Sequence, residues 1–273
     1  MTHAAGLPIS DASAVFDTLA ESYDELFTRS SIGRAQRGIV WRALESAFCE
    51  GNRILELNCG TGEDAFFLSR RGVSVVACDA SARMIEVAQK RKSSEAPESA
   101  IQFQILRTED LSQLQSTPRF DGVLSNFSGL NCVERLGPVA SDLAALTKLG
   151  APVLICLSTR FCFWEIVWFS LHAQPRKALR RLRGTSIARV ANQSVQVWYP
   201  TIRSVRRSFA PWFRLKSFRA VGLTVPPSYV RSRVITHPKV IPQLEKIDRA
   251  LGRFPFFRAA GDHVFLHFER VQS

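Results

Sequence analysis

The residues with the most chemical content lie in one short run, Ile54-Leu-Glu-Leu-Asn-Cys-Gly-Thr-Gly-Glu-Asp-Ala65. An apolar stretch ends in a turn, and the turn opens a helix. Gly60 and Gly62 allow a ligand close to the backbone and tolerate conformations closed to side chains. Asp79 follows Gly62 by 17 residues, at the end of a second apolar stretch. A carboxylate there accepts hydrogen bonds from ribose hydroxyls. The chemistry implied is the holding of a ribose-containing cofactor at the carboxyl ends of parallel strands.

Two cofactors fit that outline. Read as G-x-G-x-x-A, Gly60 to Ala65 meets a dinucleotide fingerprint. A dinucleotide sets its pyrophosphate on the helix N-terminus, where backbone donors and the dipole draw anions. That terminus carries Glu63 and Asp64, with Glu56 on the strand below, and three carboxylates repel a pyrophosphate. A cofactor bearing an ammonium and a sulfonium escapes the penalty. S-adenosyl-L-methionine is therefore favoured over a nicotinamide dinucleotide, whose oxidoreductase chemistry is the alternative.

The elements that must position these residues follow from the pattern. Strands are expected over 53–58, 73–79, 101–106, 120–126 and 151–158, with helices over 64–71, after a Ser81 cap, and over most of 133–149. Such alternation predicts an α/β class, a doubly wound parallel sheet with helices on both faces. After Ser158 the regularity is lost. FCFWEIVWFSL and PRKALRRLRG precede an alternating hairpin-like stretch, IARVANQSVQVWYP. A helix over 202–209, a strand over 213–222, an irregular insertion and a final strand in DHVFLHFERV complete the chain. The first 50 residues read as helical, with an apolar stripe at Val15, Phe16, Leu19, Tyr23 and Leu26.

Composition sets the outer limits. With 46% hydrophobic and 22% charged residues in 273, the chain is globular and long enough for a full core. The excess of 36 Lys and Arg over 24 Asp and Glu draws polyanions or anionic lipid without identifying either. Six scattered cysteines, with no C-x-x-C pair and no Cys/His cluster, predict no metal site and reduced thiols in a cytoplasmic protein. The N-terminus lacks the pattern of a secretory leader. The longest apolar stretch, 161–171, contains Glu165 and is too short to span a bilayer. A cytoplasmic protein, or one peripheral to a membrane, is expected.

The segments ILELNCGTG, VVACDASARMIEVA, LRTEDL and FDGVLSNF resemble the successive motifs of the class I S-adenosylmethionine-dependent methyltransferases. They are most similar to the small-molecule branch that includes the ubiquinone and menaquinone C-methyltransferases. The resemblance covers about residues 15–158 and the last strand. It implies a Rossmann-like, mostly parallel seven-stranded sheet with an antiparallel last strand. It also implies a helical lid over 1–50 and a methyltransferase domain over 51–273, with cap insertions at about 160–200 and 224–256.

Carried over residue by residue, Glu56, Asn58, Cys59, Gly60, Thr61 and Gly62 would wrap the methionine part, with Glu56 near its amine. Asp79 would hold the ribose, Ala80 and Met84 would line the adenine, and Thr108 and Glu109 would flank its edge. Ser125, Asn126 and Phe127 would lie beneath the sulfonium. Tyr23-Asp24 resembles the lid pair, and Arg34 or Arg37 would fork onto the methionine carboxylate. A solvated arginine is the alternative for each. Asn58 replaces the usual first glycine, and Asn tolerates left-handed geometry better than most residues. Arg107 stands where Asp is common.

Methyl transfer from a sulfonium is an in-line displacement in which the protein mainly positions the nucleophile and excludes water. A phenol or enol acceptor would benefit from a base, and the candidates are His172, Tyr199, Tyr229 and His263. His267, between Phe265 and Phe268 on the last strand, reads as structural. Phe161, Phe163, Trp164, Trp168 and Phe169 suit a hydrophobic small-molecule acceptor. The adjoining Arg176, Lys177, Arg180, Arg181 and Arg183 suit an anionic membrane surface. The alternative places the aromatics in the core and the arginines on a solvated face. A nucleic-acid substrate is disfavoured, because Ser125-Asn126-Phe127-Ser128 departs from an Asn-Pro-Pro-Tyr turn and no nucleic-acid module is visible. A cofactor-binding protein without catalysis is the reading from another class.

Overall fold

The apolar runs become strands of one sheet in the computed structural model, which describes residues 11–114, 118–190, 193–228, 230, 237 and 239–272. The strands are β1 (Arg53–Leu57), β2 (Ser74–Asp79), β3 (Ile101–Ile105), β4 (Gly122–Ser125), β5 (Pro152–Leu157), β6 (Thr185–Val190), β7 (Gln193–Trp198), β8 (Phe213–Val221) and β9 (His263–Arg270). Seven of them form a sheet in the order β3-β2-β1-β4-β5-β9-β8. β1 to β5 pair in parallel, and β9 runs antiparallel to both neighbours. This is the predicted fold. β6 and β7 form a separate antiparallel hairpin, as the alternating stretch predicted.

Side chains alternate across the sheet, so each strand feeds two cores. Ile54, Val75, Leu124 and Leu154 pack with helices α2 (Ser31–Ala47), α3 (Glu63–Ser69) and α4 (Ala82–Glu95). Leu55, Val76, Val123 and Ile155 face the opposite core, with α5 (Leu136–Leu146) and α8 (Ile202–Phe209). Each such buried side chain contributes roughly 1.5–3 kcal/mol. The predicted Ser81 cap is also present, its Oγ accepting from the Met84 amide at 3.1 Å. Gly62 opens α3 at φ 81°.

Two elements are shorter than expected. β4 begins at Gly122 because Phe120 makes only an isolated bridge to Thr147, and a Cβ on Gly122 would stand 2.4 Å from the Phe48 ring. α5 ends at Leu146, where Thr147 turns extended to form that bridge.

The sheet presents the carboxyl ends of β1, β2, β3 and β4 along one edge. α1 (Ala12–Tyr23) and a π-helical turn (Asp24–Thr28) lie over that edge. The β6–β7 hairpin closes the other side. Beyond β5 lie α6 (Phe163–Leu171) and the short α7 (Pro175–Ala178), and before β9 lies α9 (Ile241–Leu251).

A candidate cofactor cavity at the carboxyl edge of the sheet

The turn after β1 is fixed by hydrogen bonds to two other strand ends. Asp79, the last residue of β2, accepts from the Gly60 amide at 2.9 Å through one oxygen and from the Ser81 amide at 2.9 Å through the other. Its lone pairs are only partly used, so the carboxylate keeps acceptor capacity for a ligand. Burial pushes its pKa up, opposed by those amides. Asn58 adopts φ 55° in the left-handed region. Its Nδ2 donates to Thr108 Oγ1 at 3.0 Å, and its Oδ1 accepts from Ser125 Oγ at 3.2 Å. One amide thus ties together the loops after β1, β3 and β4. Glycine at this position would lose both bonds, which gives the substitution a structural reason.

These loops enclose a cavity of about 670 Å³, within the range of small-molecule sites. Tyr23, Asn58, Gly60, Asp79, Ala80, Met84, Thr108, Glu109, Asn126 and Phe127 line it, all singled out in the sequence. Gly60 has φ 55°, and a Cβ there would meet only the Tyr23 ring, at 3.8 Å. The backbone is therefore open to a ligand on that side. Burial pushes the Tyr23 phenol up to about 12, so it stays protonated at neutral pH. Phe127 and Ser128, at φ 46° and 69°, put consecutive non-glycine residues in the left-handed region beneath the cavity. Backbone strain of this kind collects at ligand sites.

Other predicted residues lie behind this lining. Cys59 and Ser125 are buried, and burial raises the Cys59 thiol. Thr61 Oγ1 donates to Asp24 Oδ1 at 2.6 Å, which ties the glycine turn to the π-helical turn. Gly62 cannot bear a side chain, because a Cβ would lie 2.7 Å from the Phe103 ring. Glu56 is buried, its Oε2 has no hydrogen-bond partner, and burial raises its pKa well above the usual carboxylate range. Arg37 does not line the cavity. It forms a 2.6 Å ion pair with Asp64, which also accepts from Trp41 Nε1 at 2.6 Å and Asn126 Nδ2 at 2.9 Å. Arg34 is exposed, with its guanidinium on the Arg29 carbonyl.

The local electrostatics differ from the sequence argument. Glu63 pairs with Arg91 at 2.6 Å, Asp64 pairs with Arg37, and buried Glu56 holds its proton more tightly. The three carboxylates of that argument are thus largely compensated. The acidity of the cavity comes instead from Asp79, Glu109 and Glu134, with Asp11 paired to Arg107 at 2.6 Å. The sign of the field is unchanged, but its sources are different.

The candidate bases are dispersed. His172 is exposed at the end of α6, its Nδ1 2.7 Å from the Trp168 carbonyl. Tyr199 is buried, with its hydroxyl 3.3 Å from Ser186 Oγ and its ring under Arg181. His263 packs edge-on behind Phe127 at 5.5 Å, and burial lowers its pKa. None of these three lines the cavity. Tyr229 lies outside the described residues. His267 is half-buried on β9 opposite Leu154, consistent with a structural role.

The far wall was only partly anticipated. Ala188, Val195, Gln196, Val197 and Trp198 of the hairpin face Ser128, Gly129, Asn131, Cys132, Val133 and Glu134 across the cavity. The hairpin itself was legible, but its docking on the loop after β4 was not. Asn131 secures it by donating to the Ser158 and Trp198 carbonyls at 2.8 and 2.6 Å. The aromatic segment 161–169 does not line the cavity, nor does any described residue of 224–256. No group of residues able to hold a metal ion occurs among the described residues.

Comparison with known proteins places this geometry. Residues 54–150 match a family described as "Methyltransferase domain". A demethylmenaquinone methyltransferase from Thermobifida fusca is 30% identical over 149 residues, covering 54% of this chain and 60% of that protein. One from Clavibacter sepedonicus is 34% identical, covering 53% of this chain and 56% of that protein. The chain thus spans somewhat more than half the length of these relatives. Among solved structures, the [4+2]-cyclase SpnF superposes with a TM-score of 0.62 at 12% identity over 98% of each chain. At that identity the likeness is one of fold.

Proposed function

We propose that this chain is a class I S-adenosylmethionine-dependent methyltransferase that methylates a hydrophobic small molecule, a reading supported by the matched methyltransferase domain and the relatives above. S-adenosylmethionine supplies a methyl group on a sulfonium, open to in-line displacement. In this reading Asp79 receives the ribose hydroxyls on the lone pairs left free by Gly60 and Ser81. Ala80 and Met84 line the adenine, flanked by Thr108 and Glu109. The turn from Asn58 to Gly62 takes the methionine part, with the unpartnered Glu56 Oε2 as the acceptor nearest the ammonium. Asn126 and Phe127, with Ser125 behind them, form the floor beneath the reacting carbon.

The observation that carries the reading is one cavity with two unlike ends. One end is acidic, with Asp79 and Glu109. The other carries Val133, Val195, Val197 and Trp198, with Glu134 and Gln196 among them. The acidic end suits a cationic donor, and the valines and Trp198 suit a hydrophobic acceptor. The relatives' names suggest a quinone-like ring. Positioning and exclusion of water carry the rate, since His172, Tyr199 and His263 lie off the cavity. α1 and the π-helical turn act as the lid, with Tyr23 over Gly60. Arg37 serves that lid by fixing Asp64 and Asn126. Because such an acceptor partitions into lipid, peripheral contact with an anionic membrane surface belongs to the same reading.

Calorimetric titration with S-adenosylmethionine and with a nicotinamide dinucleotide tests the donor. Saturable binding of the first and none of the second is expected. Preference for the dinucleotide would remove the proposal.

A further inference from the structure

Helix α6 is assembled against the usual rule. Its sequence, FWEIVWFSL, has one charged residue, Glu165, and Glu165 is its one buried residue. Phe163 is 50% exposed, and Leu171, the last residue, is 78% exposed. The reason is a cluster of charges behind the helix. Glu165 accepts from Arg180 at 2.7 Å and from Arg181 at 2.9 Å, and Arg181 also pairs with Asp262 at 2.7 Å. Turning the helix to bury its apolar face would break that cluster.

A second apolar element lies beside it. The Phe163 amide donates to the Ala260 carbonyl at 3.0 Å, which sets the start of α6 against the turn that carries Phe254, Phe256 and Phe257. Phe256 is 92% exposed, the most exposed large apolar residue among those described. Isolated exposed apolar residues are ordinary, but a cluster rimmed by charge of one sign marks an interaction surface.

The rim is basic. Arg176, Lys177 and Arg183 flank α6, and Arg253 and Arg258 flank the turn, all exposed. The imbalance extends well beyond them, since residues 159–244 contain 16 Lys and Arg and a single acid, Glu165. That acid is already neutralised inside. Aromatic and aliphatic side chains within a cationic rim complement a bilayer whose headgroups are anionic and whose interior is apolar. A nucleic acid would use the cations but leave the phenylalanines and Leu171 in water. α6 is about 14 Å long, too short to span, and no described helix is long and apolar enough to cross a membrane.

We infer that the outward face of α6, with α7 and the 253–258 turn, is a docking surface for anionic lipid bilayers. The helix lies along the interface, with Phe163, Leu171 and Phe256 inserted among the acyl chains and Arg176 and Lys177 on the headgroups. This deepens the reading above and rests on its hydrophobic acceptor. Six residues, including the turn that carries Arg181, lead from α7 into the hairpin that walls the cavity, so docking sets the acceptor end close to the phase in which such a molecule dissolves.

The test is co-sedimentation of the full chain with vesicles of phosphatidylcholine plus phosphatidylglycerol, against phosphatidylcholine alone. Binding to the mixed vesicles at low salt is expected, with a blue shift of Trp164 and Trp168 fluorescence. F256S and L171S are each expected to weaken it about tenfold, and K177E to weaken it further at low salt than at high salt. These side chains are exposed, so circular dichroism should be unchanged. S-adenosylmethionine binding by the same variants should match the parent. Failure of the parent to bind mixed vesicles while it still binds the cofactor overturns the docking surface and leaves the methyltransferase reading standing. Unaltered vesicle binding by F256S and L171S overturns it too. So does K177E-sensitive binding to RNA without vesicle binding, or a concentration-dependent dimer dissolved by F256S in a protein that ignores vesicles.

Discussion

Up to Ser158 the chain carries 15 Lys and Arg against 19 Asp and Glu, and from Thr159 onward it carries 21 against 5. The two parts also place charge differently. In the first, apolar strands fill both faces of the sheet, and charged groups gather at the strand ends around the cavity. In the second, Glu165, Arg181 and Asp262 are interior while Phe163, Leu171 and Phe256 face outward. A parallel sheet needs no help to bury apolar runs. A cap of short elements has too little apolar surface to organise itself that way, and a charged hub fixes its geometry instead.

That contrast can be broken or sharpened by substitution, beginning with the largest effect. Removing the Arg181 side chain leaves Asp262 buried without its arginine and Glu165 still paired with Arg180, at a cost of about 3–5 kcal/mol. Urea unfolding of Arg181→Ala should register this. Arg91→Ala, which breaks the more exposed pair with Glu63 in the sheet half, should cost less than about 1 kcal/mol. Equal losses would erase the distinction between the halves. Next is Asp79→Ala, which removes a charged acceptor from the cavity. S-adenosylmethionine affinity should fall about 100-fold by calorimetry, as expected for lost hydrogen bonds to a charged group. A fall under about threefold would take Asp79 out of the site.

The smallest effect concerns Glu56. Burial raises its folded-state pKa well above its unfolded value. Above the folded value the fold carries an ionised buried acid, and below it the group is neutral. Glu56→Gln should therefore be the more stable protein at alkaline pH. The advantage should shrink as pH falls through the raised value. Thermal melts across that range would check it, and an advantage that grows toward acid would contradict the assignment.

The sequence made the sheet legible because Ile54, Leu55, Val75 and Val76 are apolar on both faces, a pattern that buried parallel strands require. The cavity was legible for the same reason, since Asn58, Gly60 and Asp79 end those strands. What escaped were pairings between distant residues. Arg181 and Asp262 are 81 positions apart, and nothing local marks Arg181 as interior while Lys177 is solvated. The apolar character of α6 suggested a cavity lining, whereas the hub behind it turned that face outward. Arg37 looked free to meet a ligand because its partner, Asp64, was read as part of an uncompensated acidic terminus.

Asn131 has a consequence for retuning the protein. Its Nδ2 grips the Ser158 and Trp198 carbonyls, and its Oδ1 takes the Ser158 amide at 2.9 Å. The exit of β5 and the last rung of the hairpin are therefore both held by this one side chain, with Arg160 Nε on the Tyr199 carbonyl at 3.4 Å beside it. Widening the compartment for bulkier compounds has independent handles at Ala188 and Val195, which face each other midway along the hairpin. Any redesign that displaces Trp198 also removes a bond from the side chain that holds the end of a central strand, so breadth gained there comes with a less firmly braced floor.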